Sequence, residues 1–95
     1  MSPYKHILQK YNRIIPEIIR MCEEFNRTAF SVQWVYDIVT ETPEKYPYLT
    51  NLKENTTELK FREYTSKLIS VNTRFGVWSG KSPKFRVFTY KPGGK

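Results

Sequence analysis

The spacing of hydrophobic residues changes once along this 95-residue chain, and that change limits what the chain can fold into. Up to about Val71, apolar residues recur every three or four positions, which is the spacing of a buried helix face. After Asn72 come two runs rich in aromatic and β-branched residues, which favour β-strands. The order predicts an α+β fold of three or four helices followed by a C-terminal β-hairpin.

The first helical stripe contains a proline. It extends from Pro3 to Asn26, and Pro16 within it cannot donate a backbone hydrogen bond. We therefore predict a helix from about Pro3 that breaks or kinks near Arg13–Ile15 and restarts with Pro16 in its first turn. The stripe is wider than one small core needs, so one side is expected to form a dimer interface. The residues proposed for that interface are Tyr4, Ile7, Leu8, Tyr11 and Ile15.

A second, shorter helix is predicted behind Ser31, a natural N-cap residue. Its apolar positions run from Val32 to Val39, and it should end before Pro43. Residues 42–55 contain two prolines and two tyrosines. We interpret them as a structured connection with a helical turn around Tyr48–Lys53.

A third helix is predicted from Thr56 to about Val71. The segment Asn55–Glu58 resembles a capping box, with a cap residue and a glutamate three positions on. The expected core stripe is Phe61, Tyr64, Thr65, Leu68 and Val71. The expected exposed face is Lys60, Glu63, Lys67 and Ser70, flanked by Arg62 and Ser66.

The two extended runs are Arg74–Trp78 and Lys84–Tyr90, and the turn-forming residues Ser79–Pro83 separate them. We predict a β-hairpin with a basic tip. Alternation places Phe85, Val87 and Thr89 on one face, and Lys84, Arg86, Phe88 and Tyr90 on the other.

Charge is distributed unevenly. The chain carries a net charge of +7, yet residues 1–55 hold seven basic and seven acidic side chains. Residues 56–95 hold nine basic side chains against Glu58 and Glu63, so they contain the whole excess. A one-sided excess of this kind is typical of a face that binds a polyanion, although a solvated basic tail would give the same composition.

In this order of elements the chain resembles the winged helix-turn-helix family, from about Pro16 to Tyr90. The resemblance implies one domain over 1–90 with an N-terminal extension helix and a flexible tail at 91–95. It implies that the 56–71 helix enters the major groove of duplex DNA and that the 74–90 hairpin, the wing, lies on the backbone. The link between the second and third helices is longer than in that family. The implied DNA contacts are Ser31, Gln33, Thr56, Thr57, Lys60, Arg62, Ser66, Lys67, Arg74, Lys81, Lys84 and Arg86.

The small size and the extra N-terminal helix also resemble archaeal plasmid partition proteins, which bind centromere-like DNA, and PadR-type repressors. That narrower resemblance implies a homodimer on a palindromic site, acting as a transcriptional regulator or as a partition or architectural factor. A cytoplasmic, nucleoid-associated protein is expected, because the single Cys22 allows no internal disulfide and no apolar run reaches the ~20 residues of a membrane span.

The sequence also bears on catalytic function. His6 and Cys22 are the only histidine and cysteine, and Cys22 on an apolar helix face is better explained as a buried structural thiol than as a nucleophile. We expect no enzyme activity, no metal and no cofactor. Two alternatives stay open: a protein-interaction adaptor without DNA binding, with an unidentified partner, and a single-strand binder. The latter would stack bases on Phe75, Trp78, Phe88 and Tyr90.

Overall fold

The computed structural model describes residues 9–79 and 87–91, with the backbone alone for 77–79. Within this part the chain is mixed α+β, as the sequence predicts. Residues 9–11 are helical and are followed by a turn. The elements are α1 (Ile14–Glu24), β1 (Ala29–Ser31), α2 (Val32–Glu41), a 3-10 turn (Pro43–Lys45), α3 (Pro47–Glu54), α4 (Glu58–Ser70), β2 (Phe75–Ser79) and β3 (Val87–Tyr90).

The predicted break in the first helix is confirmed. A turn at Asn12 and Arg13 separates residues 9–11 from α1, and Pro16 lies in the first turn of α1. A proline is tolerated there because the first N–H groups of a helix have no partner within it. The predicted start of the helix at Pro3 lies outside the described residues.

Ser31 caps α2 as predicted. Its hydroxyl accepts a hydrogen bond from the Trp34 N–H at 3.2 Å, and its backbone is extended. The backbone is extended because Ser31 also ends β1, a strand that the sequence analysis did not predict. The helix then buries Val32, Val35 and Val39 completely.

The connection at 42–55 is more ordered than predicted. A 3-10 turn is followed by α3, which buries Leu49 and Leu52. Pro47 occupies the first turn of α3, and the carboxylate of Glu17 accepts hydrogen bonds from the Tyr48 N–H (3.0 Å) and the Leu49 N–H (2.8 Å). A side chain of α1 therefore caps α3, which fixes the two helices against each other.

The start of α4 differs from the prediction. Thr57 is its N-cap and accepts from the Lys60 N–H at 3.2 Å, so the helix begins at Glu58. Asn55 and Thr56 instead donate to carbonyl groups of α3, those of Asn51 and Leu52. The capping signature was thus displaced by two residues, because two of its polar residues close the preceding helix.

The buried stripe of α4 is also shifted. Phe61, Thr65 and Leu68 are buried as predicted, but Ser66 and Ile69 join them and Val71 is 57% exposed. The cause is packing on several sides, since α4 contacts α1, α2, α3 and β2.

The strands form an antiparallel sheet in the order β1–β3–β2. The hairpin strand β2 begins at Phe75 rather than Arg74, and its pairing with β3 has an irregularity between Val77 and Ser79. The predicted alternation is confirmed for 87–90, because Phe88 and Tyr90 are buried while Val87 and Thr89 are half-buried. The predicted first half of the second strand, with Lys84 and Phe85, lies outside the described residues.

One apolar cluster joins the helices to the sheet. Its fully buried members include Ile14, Ile18, Met21, Tyr46 and Phe61. Phe30 of β1 meets Phe75 of β2 edge to face, with ring centres 5.7 Å apart. None of the helices in the described ranges is long and apolar enough to cross a membrane.

Candidate nucleic-acid interface

The exposed side of α4 is the first part of the candidate interface. Leu59 and Lys60 are exposed near its N-terminus, and Glu63 and Lys67 continue the same side as half-buried residues. The ammonium group of Lys60 lies 3.5 Å from the Glu63 carboxylate, and the side chain keeps 51% of its area exposed. An exposed ion pair of this kind contributes little to stability and opens readily toward a phosphate.

Arg62 is placed differently from Lys60. Its side chain is 14% exposed and its guanidinium donates to Glu58 at 2.7 Å and to Gln33 at 3.2 Å. The Gln33 side chain in turn donates to Asp37 at 3.0 Å. Arg62 and Gln33, both expected on DNA, therefore join α4 to α2, and Arg62 Nη1 and both polar side-chain atoms of Gln33 already have partners.

Three hydroxyl groups expected on phosphates are used by the fold. Ser31 caps α2, Thr57 caps α4, and Thr56 donates to the Leu52 carbonyl at 2.6 Å. Thr57 is exposed, whereas Ser31 and Thr56 are half-buried. Among the three, Thr57 is the one that remains accessible to a ligand.

Ser66 and Arg74 do not occupy the exposed positions that DNA contacts need. Ser66 is 5% exposed, so the expected exposed position is wrong. Arg74 is half-buried and donates to the Tyr90 hydroxyl at 3.1 Å, and this hydroxyl donates to Glu23 at 3.0 Å. Arg74 thus connects the hairpin to the end of α1 rather than extending into solvent.

The remaining basic residues of the C-terminal region fall into two groups. Lys81, Lys84 and Arg86, the expected contacts at the hairpin tip, lie outside the described residues. Lys91 was assigned to a flexible tail, but its N–H donates to the Arg74 carbonyl at 2.9 Å and its side chain is exposed. Sequence reasoning missed Lys91, although it directly follows the alternating strand residues that would have indicated its pairing.

The dimer interface is corrected in part. Tyr11 and Ile15 are each 8% exposed and pack in the core of the protomer, so they offer almost no area to a second chain. Tyr4, Ile7 and Leu8 lie outside the described residues. α3 and α4 both pack on α1, and they cover much of the wide apolar surface of the first helical stripe.

Two buried side chains, Cys22 and Tyr46, have raised pKa values. Burial, with a smaller contribution from the neighbouring Glu23 carboxylate, raises the pKa of the Cys22 thiol to about 12. Burial also raises the pKa of Tyr46. At neutral pH Cys22 is therefore a protonated thiol in an apolar setting, which is a poor nucleophile.

Compared with protein-family models, with curated proteins and with solved structures, this chain gives no significant match.

Proposed function

We propose that this protein binds duplex DNA as a winged helix-turn-helix domain, with α4 in the major groove and the hairpin on the adjacent backbone. The observation that carries the proposal is the charge distribution. The entire excess of +7 lies in residues 56–95, the region that forms α4 and the hairpin. A polyanion of regular shape is the partner that such an arrangement fits best.

The order of elements supports this assignment. The mixed α+β fold ends in two antiparallel strands, and α4 comes immediately before them and packs against β2. The major groove of B-DNA admits one α-helix, and the exposed side of α4 offers Lys60 and Thr57 near its N-terminus. The N-terminus of a helix also attracts phosphate.

The long link before the recognition helix has a structural explanation. It contains α3, so the turn that precedes α4 is the three-residue segment 55–57. In this proposal α3 and α4 form the helix-turn-helix pair. The Glu17 cap holds α3 against α1. Because α3 leads through residues 55–57 into α4, this cap would also set the direction from which α4 enters the groove.

The hairpin tip is expected to contribute more affinity than α4. Within α4, Glu58 pairs with Arg62 and Glu63 pairs with Lys60. No acidic residue follows Glu63, so Lys81, Lys84 and Arg86 have no acidic neighbour in sequence. Cations without nearby acids release more counterions from DNA when they bind.

Fluorescence anisotropy with a labelled duplex tests the proposal. A site that neutralises about eight phosphates gives a slope near −7 in a plot of log K against log salt. Lys84→Glu should weaken binding by about tenfold or more, and Lys60→Glu by a smaller factor. Lys10→Glu is the matched control, because it changes the net charge equally on an exposed residue of the N-terminal half.

Two results would contradict the proposal. Binding that does not depend on salt would exclude a phosphate-dominated interface. An equal loss of affinity in Lys10→Glu and Lys84→Glu would show a diffuse attraction of the whole protein, without a defined DNA-binding face.

A protein-interaction adaptor is the second candidate, and one observation favours it. Leu59 is 60% exposed at the start of α4, directly beside ion-paired residues, as in many protein-binding helices. An adaptor would ignore duplex DNA at physiological salt, so the same titration separates the two functions.

The proposal includes a homodimer, whose contact would use Tyr4, Ile7 and Leu8 of the expected interface, because Tyr11 and Ile15 are buried. A monomeric mass by light scattering would remove the dimer, and with it the expectation of a palindromic site. Regulation, partition and DNA packaging are all consistent with such a dimer.

A further inference from the structure

Two shallow grooves meet at the exposed ring of Tyr48, where α1 and α3 come together. One has a volume of about 490 Å³ and is lined by Lys10, Tyr11, Pro47, Tyr48 and Asn51. The other has a volume of about 350 Å³ and shares Pro47 and Tyr48 with the first. Tyr48 is 45% exposed, so its ring stands between the two grooves as a common wall.

Basic side chains surround these grooves. Lys10 lines the first, and Arg13, Arg20 and Lys45 line the second. Arg20 and Lys45 have 50% and 55% of their side-chain area exposed, so both remain accessible to a ligand. Four cations therefore lie on a part of the chain whose sequence is neutral overall.

The two nearby acids, Glu17 and Glu24, neutralise this group of four cations only in part. Both carboxylate oxygens of Glu17 accept from backbone N–H groups of α3. Glu24 pairs with Arg20 and with Lys45. Within the described ranges, Lys10 and Arg13 form no ion pair, and Arg13 donates instead to the Tyr48 hydroxyl at 3.0 Å.

The walls of the grooves are largely apolar and rigid. Pro16, Pro47 and the rings of Tyr11 and Tyr48 supply them. A DNA backbone gains little from such walls, because its contacts are made by phosphate and sugar oxygens. A peptide side chain gains from burying apolar area in them, and arginine and lysine at the rim would bind flanking carboxylates.

From this combination we infer that the Tyr48 grooves dock an acidic peptide segment of a partner protein, in which aromatic or aliphatic residues alternate with glutamate or aspartate. The apolar side chains occupy the two grooves on either side of Tyr48. The carboxylates meet Lys10 and Arg13 at one end and Arg20 and Lys45 at the other. This site does not depend on the proposed DNA interface, because none of its residues belongs to α4 or the hairpin.

The test uses a fluorescein-labelled peptide that alternates glutamate and tyrosine, titrated with the full chain. Its matched control peptide has glutamine in place of every glutamate. The double variant Lys10→Glu/Arg13→Glu should weaken binding of the acidic peptide by at least about tenfold, since both cations would then repel it. Tyr48→Ser should weaken binding as well, through loss of the shared wall. It keeps the backbone N–H that Glu17 holds.

Lys53→Glu is the control variant, because Lys53 lies on α3 but lines neither groove and should leave the affinity within about twofold. The urea unfolding midpoint of each variant is measured as well, to check that the fold is retained. Equal binding of the acidic and glutamine peptides would overturn the proposal, as would unchanged binding by the double variant. Equal losses for peptide and duplex DNA in the double variant would also overturn it, by showing a general polyanion surface.

Discussion

Asn26 ends α1 in the left-handed region, with φ of 52°. Its N–H donates to the Glu23 carbonyl at 3.2 Å, and the Arg27 N–H donates to the Cys22 carbonyl at 2.8 Å. This is the Schellman pattern, which needs one left-handed residue and usually takes glycine. Asparagine tolerates the conformation better than other residues with a side chain.

The effect of substituting Asn26 on the free energy of unfolding should therefore depend on the backbone conformation alone, since the side chain is exposed. Asn26→Ala should lower the free energy of unfolding by about 1 kcal/mol, because alanine is strained at positive φ. Asn26→Gly should be neutral or slightly stabilising, by up to about 0.5 kcal/mol. Urea denaturation measures both, and equal effects of the two substitutions would show that the conformation is not left-handed.

Cys22 gives the protein a dependence on alkaline pH. In the unfolded chain the thiol has its ordinary pKa of 9.0, whereas burial raises the pKa in the folded protein to about 12. Above about pH 9 the unfolded state loses a proton that the folded state keeps, so stability falls as pH rises toward 12. The raised pKa of Tyr46 acts in the same direction.

Urea midpoints measured from about pH 8 to about pH 10.5 should therefore decrease, and Cys22→Ala should make the decrease shallower. Alanine lowers stability at every pH by leaving a small cavity, so the slope is compared, rather than the absolute value. Parallel curves for the two proteins would contradict a protonated thiol in the folded state.

At the scale of elements, the contact between α1 and α3 is the one that organises the helices. The Glu17 carboxylate is 4% exposed and satisfies two N–H groups that α3 cannot satisfy internally. Its negative charge also lies at the positive end of the α3 dipole. α3 has eight residues, so it depends on this cap more than a longer helix would.

Glu17→Ala should lower the free energy of unfolding by about 3 kcal/mol, since two N–H groups lose their acceptor. Glu17→Gln retains one acceptor and should lower it by a smaller amount, about 1 kcal/mol. Glu44→Ala is the control, because Glu44 is exposed, and should stay within about 0.5 kcal/mol. A loss in the control as large as in Glu17→Ala would argue that net charge, rather than the cap, matters.

The sequence predicted those elements whose signals are local. The break before Pro16, the Ser31 cap and the strand alternation at 87–90 each depend on a few neighbouring residues. β1 was not predicted, because three residues are too few to show the alternation of a strand. Its pairing is also distant in sequence, since Ala29 pairs with Thr89, sixty positions further on.

Tertiary context explains the other differences. The capping role of Glu17 could not be predicted, because its carboxylate accepts hydrogen bonds from Tyr48 and Leu49, which are 31 and 32 positions further along the chain. The burial of Ser66 follows from neighbours on several sides of α4, which widen the buried stripe beyond the helical period. Arg62 and Arg74 have the right chemistry for DNA, yet contacts within the fold engage them. The basic residue type alone did not reveal these internal partners.

At the scale of the molecule, charge separates into two regions. Residues 56–95 hold the whole excess of +7, and a second basic group, from residues 10–20 and Lys45, surrounds Tyr48. Acids and bases are equal in number over residues 1–55, but of the acids near the second group only Glu24 forms ion pairs with it, whereas the Glu17 carboxylate caps α3. In our two proposals, the first region binds DNA and the second binds a partner protein.

The most direct test of the central claim is a two-dimensional NMR titration of the ¹⁵N-labelled protein with a duplex at physiological salt. Our account predicts that the changes in amide chemical shift concentrate in residues 57–67 and 80–86, while the amide signals of Tyr48 and Asn51 beside the grooves are unchanged. Shifts confined to α1 and α3, or no shifts at saturating duplex, would contradict the proposal that α4 and the hairpin form a DNA-binding surface.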